Sequence, residues 1–160
     1  MERANAGRAI LAGLIATLVM TMIMYAAPMM GMPKMDLAAM LGSMLNGGQM
    51  PAPMSESWMI GMMMHFINGT IIFPLIYAYL LYPLLPGSSW LKGVLWGIIL
   101  WLISQAMMMP MMGMGFFSAN GPQPMMTVIG SLMGHIIYGA ILGAIAGTQA
   151  VRAPQHARPA

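Results

Sequence analysis

No cysteine occurs in the 160 residues, which excludes disulfides, thiolate metal sites and a cysteine nucleophile. Charge is almost as scarce. Lys and Arg number 6 against 3 Asp and Glu, together 6% of the chain. A soluble domain carries about a quarter, so these side chains cannot clothe a water-facing globule. Three acids also supply no paired catalytic carboxylates, and no Gly-rich phosphate loop or Ser-His-Asp set can be assembled, so the chain has no enzyme signature. The formal net charge of +3 comes from helix flanks and points to anionic headgroups rather than nucleic acid.

Apolar residues make up 59% of the chain. They arrive in four stretches of about twenty, the length a helix needs to cross a hydrocarbon core. The expected spans are 9–27, ending at Pro28; 57–82, kinked at Pro74; 90–109, stopped by Pro110; and 125–147. Backbone polar groups in lipid must pair within their own segment, so these runs are helices. The expected fold class is therefore an all-α membrane protein with four transmembrane helices. No Asp, Glu, Lys or Arg is expected within any span, which argues against a carboxylate proton relay.

Arg3, Arg8, Lys92, Arg152 and Arg158 flank one side of this arrangement, and only Lys34 flanks the other, beside Asp36 and Glu56. The bias predicts a multi-pass protein of the bacterial inner membrane with both termini cytoplasmic. Loops 29–56 and 111–124 then face the periplasm. The basic start, apolar run and small Ala26 and Ala27 also resemble a signal peptide. The segment is kept as a span because it has an internal counterpart.

That counterpart is a tandem repeat of two helical hairpins. Aligning Gly13 with Gly97 brings Pro28-Met29-Met30-Gly31-Met32 onto Pro110-Met111-Met112-Gly113-Met114 at corresponding helix ends. The helices that follow share Gly61-x3-His65-x3-Gly69 and Ser131-x3-His135-x3-Gly139. Units of about 8–83 and 90–148 form one transmembrane domain over 1–148, related by an axis along the membrane normal. Residues 149–160, rich in Pro and Ala, read as a disordered cytoplasmic tail.

The first unit alone carries an outer insertion, 35–46. Leu37, Met40, Leu41, Met44 and Leu45 fall on one helical face with Asp36 placed to cap it. A short amphipathic helix is expected, lying at the outer interface or folded over the bundle mouth. Gly139, Gly143 and Gly147 make a small-residue stripe for close packing of the last helix.

Methionine is the anomaly, 25 of the 160 residues. Apart from Met1, every one lies between Met20 and Met64 or between Met107 and Met133, in the outer half of the topology. Methionine as a flexible filler accounts for abundance. It does not account for one-sidedness, since lipid tails are alike in both leaflets. Thioether sulfur is a soft, neutral ligand suited to Cu(I) and needs no deprotonation. It also survives where thiols are oxidised.

Met20/Met24, Met40/Met44, Met59/Met63, Met107/Met111 and Met108/Met112 are each one helical turn apart. This Met-x3-Met spacing resembles the copper-uptake transporter family, whose pore is lined by such pairs. The likeness covers that spacing alone; span number and repeat differ. His65 and His135 occupy matching repeat positions about 10–15 Å deep and can face each other across the pseudo-axis. The candidate metal ligands are His65, His135, Met62, Met64, Met133, Met29, Met30, Met32, Met111, Met112 and Met114. A bis-histidine haem b is the competing use of the pair, but small residues beside both histidines leave little room for a porphyrin.

The runs Lys34-Met35-Asp36-Leu37-Ala38-Ala39-Met40-Leu41-Gly42, Gly61-Met62-Met63-Met64-His65-Phe66 and Ser131-Leu132-Met133-Gly134-His135 resemble an uncharacterised family of small bacterial Met-rich membrane proteins. The resemblance covers about 13–147 and implies company with respiratory-chain components. The leading expectation is Cu(I) binding on the outer face for handover or homeostasis, with a periplasmic copper protein as partner. The alternative is a non-catalytic accessory subunit of a larger membrane complex. Conduction fits less well, because the inner half offers no Met, Cys or His.

Overall fold

The computed structural model describes residues 3–149 of the chain. Among the described residues four helices are long and apolar enough to cross a membrane: α1 (Ala6–Met30), α3 (Glu56–Leu81), α4 (Ser89–Met111) and α5 (Pro124–Ala146). A short α2 (Leu37–Ser43) lies between the first two. Each start has a local cause. Asn5 accepts the Arg8 N–H at 2.9 Å and Asp36 accepts the Ala39 N–H at 3.0 Å. Ser55 and Ser88 accept from Trp58 and Leu91, and Pro124 opens α5, where a missing N–H costs nothing.

The third long helix ends at Met111, one residue past Pro110. Proline removes one N–H and crowds the carbonyl four residues back. The chain absorbs this with an i→i+5 turn just upstream: Ser104–Met108 before Pro110, and Asn68–Ile72 before Pro74. Each turn inserts a residue and rephases the helix beyond it. Likewise Pro28 lies within a final 3-10 turn, Ala27–Met30, that ends at Gly31 with φ +80°.

In the bundle, α1 packs on both α3 and α5, and α4 packs on α5. The α4–α5 contact is made by Gly93 and Gly97 against Gly139 and Gly143; a Cβ on Gly97 would run into the His135 carbonyl. Such backbone proximity supplies the dispersion contacts that hold helices together in lipid. Gly147 leaves that stripe: at φ +58° it terminates α5. Gly13 of α1 meets Pro74 and the Gly69 carbonyl, and Gly69 meets Thr17.

Arg3–Ala4 (β1) pairs antiparallel with Thr148–Gln149 (β2), so the two ends of the described chain share one end of the bundle. The core there is Ala9, Ala12, Ala16, Tyr77, Tyr138, Leu142 and their neighbours. Lys92 belongs to this end and lies inside α4, contrary to the expectation of no charge within a span. It is buried, donates to the Tyr82 carbonyl at 2.9 Å and sits 4.2 Å above the Tyr82 ring. Its ammonium thus closes the carbonyl end of α3. The expected disordered tail, beyond Gln149, lies outside the described residues.

At the opposite end, α2 packs on the start of α3 through Gly42 and Gly61, whose backbones touch. Asp36 accepts the Trp58 indole N–H at 3.0 Å and Ser57 donates to Asn46 at 2.7 Å. Ala38 to Ser43 are all buried, so α2 has no free outer face. It fills the bundle mouth rather than floating at an interface.

Candidate functional site

The mouth of the bundle gathers sulfur. Met40 of α2, Met109 of α4 and Met112 just beyond α4 are 3%, 2% and 4% exposed and form a second core with Leu41. Met35, Met44, Met64, Met108, Met114 and Leu37 pack around them. The turn at Ser104–Met108 explains the register of α4. With one residue added, Met108, Met109 and Met112 face the core, while Met107 and Met111 point outward at 58% and 60% exposure.

Beside this core, α1, α2 and α3 enclose a small cavity lined by Thr21, Met24, Tyr25, Met35, Leu37, Ala38, Met62 and His65. The Thr21 hydroxyl donates to the Thr17 carbonyl at 2.7 Å, so its oxygen accepts from His65 Nε2 at 2.9 Å. In the neutral imidazole that assignment leaves Nδ1 as the lone-pair nitrogen.

His135 is pinned from its other side. Its Nδ1 lies 2.8 Å from the Ser131 carbonyl, which only accepts, so the proton is on Nδ1 and the lone pair on Nε2. Ser131 also accepts from Gln105, and Gln105 accepts from Ser118, both at 3.2 Å. This buried chain secures the turn Phe116–Ser118, where Phe117 and Ser118 hold left-handed φ values of 49° and 56°. His135 is not among the residues that line the cavity beside His65.

The sequence candidates separate accordingly. Met62 joins His65 at the cavity; Met64, Met112 and Met114 join the sulfur core. Met32 reaches Gly130 of α5 instead. Met29, Met30, Met111 and Met133 face outward and join neither group. Among the one-turn pairs, Met59/Met63 and Met107/Met111 also face outward, while Met40/Met44 and Met108/Met112 meet in the sulfur core.

Sequence reasoning missed Thr21 and Met35 at the cavity and Met109 in the core, and it singled out Met24, Met40 and Met108 only as members of one-turn pairs. Thr17, Thr21 and Met24 fall at i, i+4 and i+7 of α1, a stripe continuing from Gly13. That periodic signal was there to be read. Met35 precedes α2 in an irregular segment, where no periodicity exists.

A family model described as a family of unknown function (DUF6789) matches residues 3–157. The chain belongs to that family. No curated protein and no solved structure matches it.

For this DUF6789 chain the site's chemistry rests on neutral donors. Among the described residues no three His, Cys, Asp or Glu side chains gather in one place. A divalent ion would find no carboxylate in the cavity to balance its charge. The neutral side chains that line it with His65 include Met24, Met35 and Met62.

Proposed function

We propose that the chain is a multi-pass membrane protein that binds Cu(I) at its sulfur-rich end, for handover or homeostasis. The carrying observation is that Met24, Met35 and Met62 line one cavity with His65, whose Nε2–H is held by Thr21 so that Nδ1 keeps its lone pair. A ligating histidine commonly gives its other N–H to a fixed acceptor, which sets its orientation and basicity. An ion suits this site better than haem b. The cavity is small, and backbone contact between Gly97 and the His135 carbonyl leaves no slot for a macrocycle beside that histidine.

In this reading the membrane is the bacterial inner membrane, the chain ends are cytoplasmic and the sulfur-rich mouth opens to the periplasm. Arg3, Arg8 and Lys92 at one end against Lys34 with Asp36 at the other support it. The chain is also a tandem duplication. Support comes from the register of contacts: Gly13 meets Gly69 as Gly97 meets Gly139, the pairs that the sequence alignment equates.

A titration with Cu(I) against a competing chelator, on the reduced full chain in lipid nanodiscs, tests the function. The wild type retains the ion and His65→Ala loses at least tenfold in affinity. Equal retention by both would overturn the reading.

The outward Met59/Met63 and Met107/Met111 pairs favour a second role, as a non-catalytic accessory subunit of a larger membrane complex. Methionine makes adaptable docking surfaces. Co-purification of a large membrane partner, lost when these four become Ala, is the result that role requires.

A further inference from the structure

We infer that the mouth of the bundle holds two stations for Cu(I): an all-thioether station around Met40, Met109 and Met112, and the His65 cavity, with Met35 shared as the handover ligand. The inference rests on the copper reading of the cavity and adds a second site and a direction of travel.

Composition gives the first argument. The core at the chain-terminal end is built from Ala, Tyr, Leu, Ile, Trp and Phe, with Met20 alone contributing sulfur. The core at the mouth is methionine throughout except for Leu37 and Leu41. Both are buried and apolar, so gap filling would use methionine in both. Its segregation follows if sulfur itself is required at the mouth.

Placement gives the second. Met40 comes from α2, Met109 from the far end of α4 and Met112 from the residue just beyond it, so the cluster is assembled across the fold and not by one helix's periodicity. The upstream i→i+5 turn aims the α4 residues inward. Met35 packs against this cluster and also lines the His65 cavity. An ion leaving the thioethers can therefore keep Met35 while it gains His65 Nδ1.

Handover between the stations is ligand exchange. Dative Cu–S bonds to Met40, Met109 and Met112 break and dative bonds to Met24, Met62 and His65 form. The ion remains Cu(I), and no proton is displaced because every donor is neutral. The more basic imidazole gives the direction, from thioethers to His65.

The test uses the full chain in nanodiscs loaded anaerobically with Cu(I), read by metal stoichiometry and X-ray absorption. The wild type takes up two equivalents. M109L/M112L takes up one with mixed sulfur and nitrogen scattering; leucine keeps side-chain volume and fold. H65A takes up one with sulfur-only scattering. M35L weakens both stations, and once loaded to two equivalents at higher Cu(I) it gives up the second to a chelator at least tenfold more slowly. One equivalent in the wild type, with mixed scattering, overturns the thioether station and leaves the His65 site standing. No retained copper overturns both. Two equivalents in M109L/M112L, or unchanged extraction in M35L, also overturn the relay.

Discussion

Thr21 is the side chain through which His65 becomes a usable donor. Its hydroxyl hydrogen is committed to the Thr17 carbonyl, so its oxygen can only accept, and the imidazole is held with Nδ1 bare. Replacing Thr21 with Val keeps the shape and removes the acceptor. Cu(I) affinity is expected to fall about 10-fold or more, as for other groups that orient a ligand, while the melting temperature changes little. An affinity equal to wild type in a chelator competition would show that the ring needs no such support. Lys92 acts at the other end and is unrelated to copper. Lys92→Met keeps the apolar stem and loses the charged hydrogen bond to Tyr82. The expected cost is about 1.5–3 kcal/mol, seen as lower thermal stability in nanodiscs with copper binding unchanged.

Among the elements, α2 decides whether the sulfur-rich mouth is closed. Its seat on α3 depends on Gly61, where an added Cβ would meet the Ala38 carbonyl and the Gly42 nitrogen. Gly61→Ala is expected to lift α2 and expose its buried residues, Ala38 to Ser43. Limited proteolysis should cut there several-fold faster, with helix content unchanged by circular dichroism. Identical cutting would mean that the Asp36–Trp58 and Ser57–Asn46 contacts hold α2 without the glycine.

Much of this element level was legible in the chain. Twenty-residue apolar runs gave the four long helices, and Asp36 gave the start of α2. The fate of the prolines was not legible, because a helix can reach Pro110 with or without an i→i+5 turn ahead of it, and only packing chooses. That choice sets the facing of every methionine after Ser104. Local pattern therefore could not say that Met109 and Met112 turn inward while Met111 turns out. His65 and His135 were found from spacing. Their fixed proton positions depend on Thr21 and Ser131, which only the three-dimensional arrangement assigns.

For the molecule as a whole, both ends of the described chain meet at one end of the bundle, and the sulfur lies at the other. The account assigns these ends opposite compartments and opposite tasks: anchoring on one side, ion capture on the other. A lone cysteine at Ser55 should react with a membrane-impermeant thiol reagent added to intact cells stripped of their outer membrane, and one at Ser88 should not. The reverse pattern would turn the sulfur-rich mouth to the cytosol. The most direct measurement is native mass spectrometry of the intact chain released from nanodiscs after exposure to Cu(I) and removal of excess metal by a chelator. The account predicts two copper mass increments on the wild type and only one on the double variant His65→Ala, Met62→Leu. A wild-type chain that emerges at its metal-free mass would contradict it.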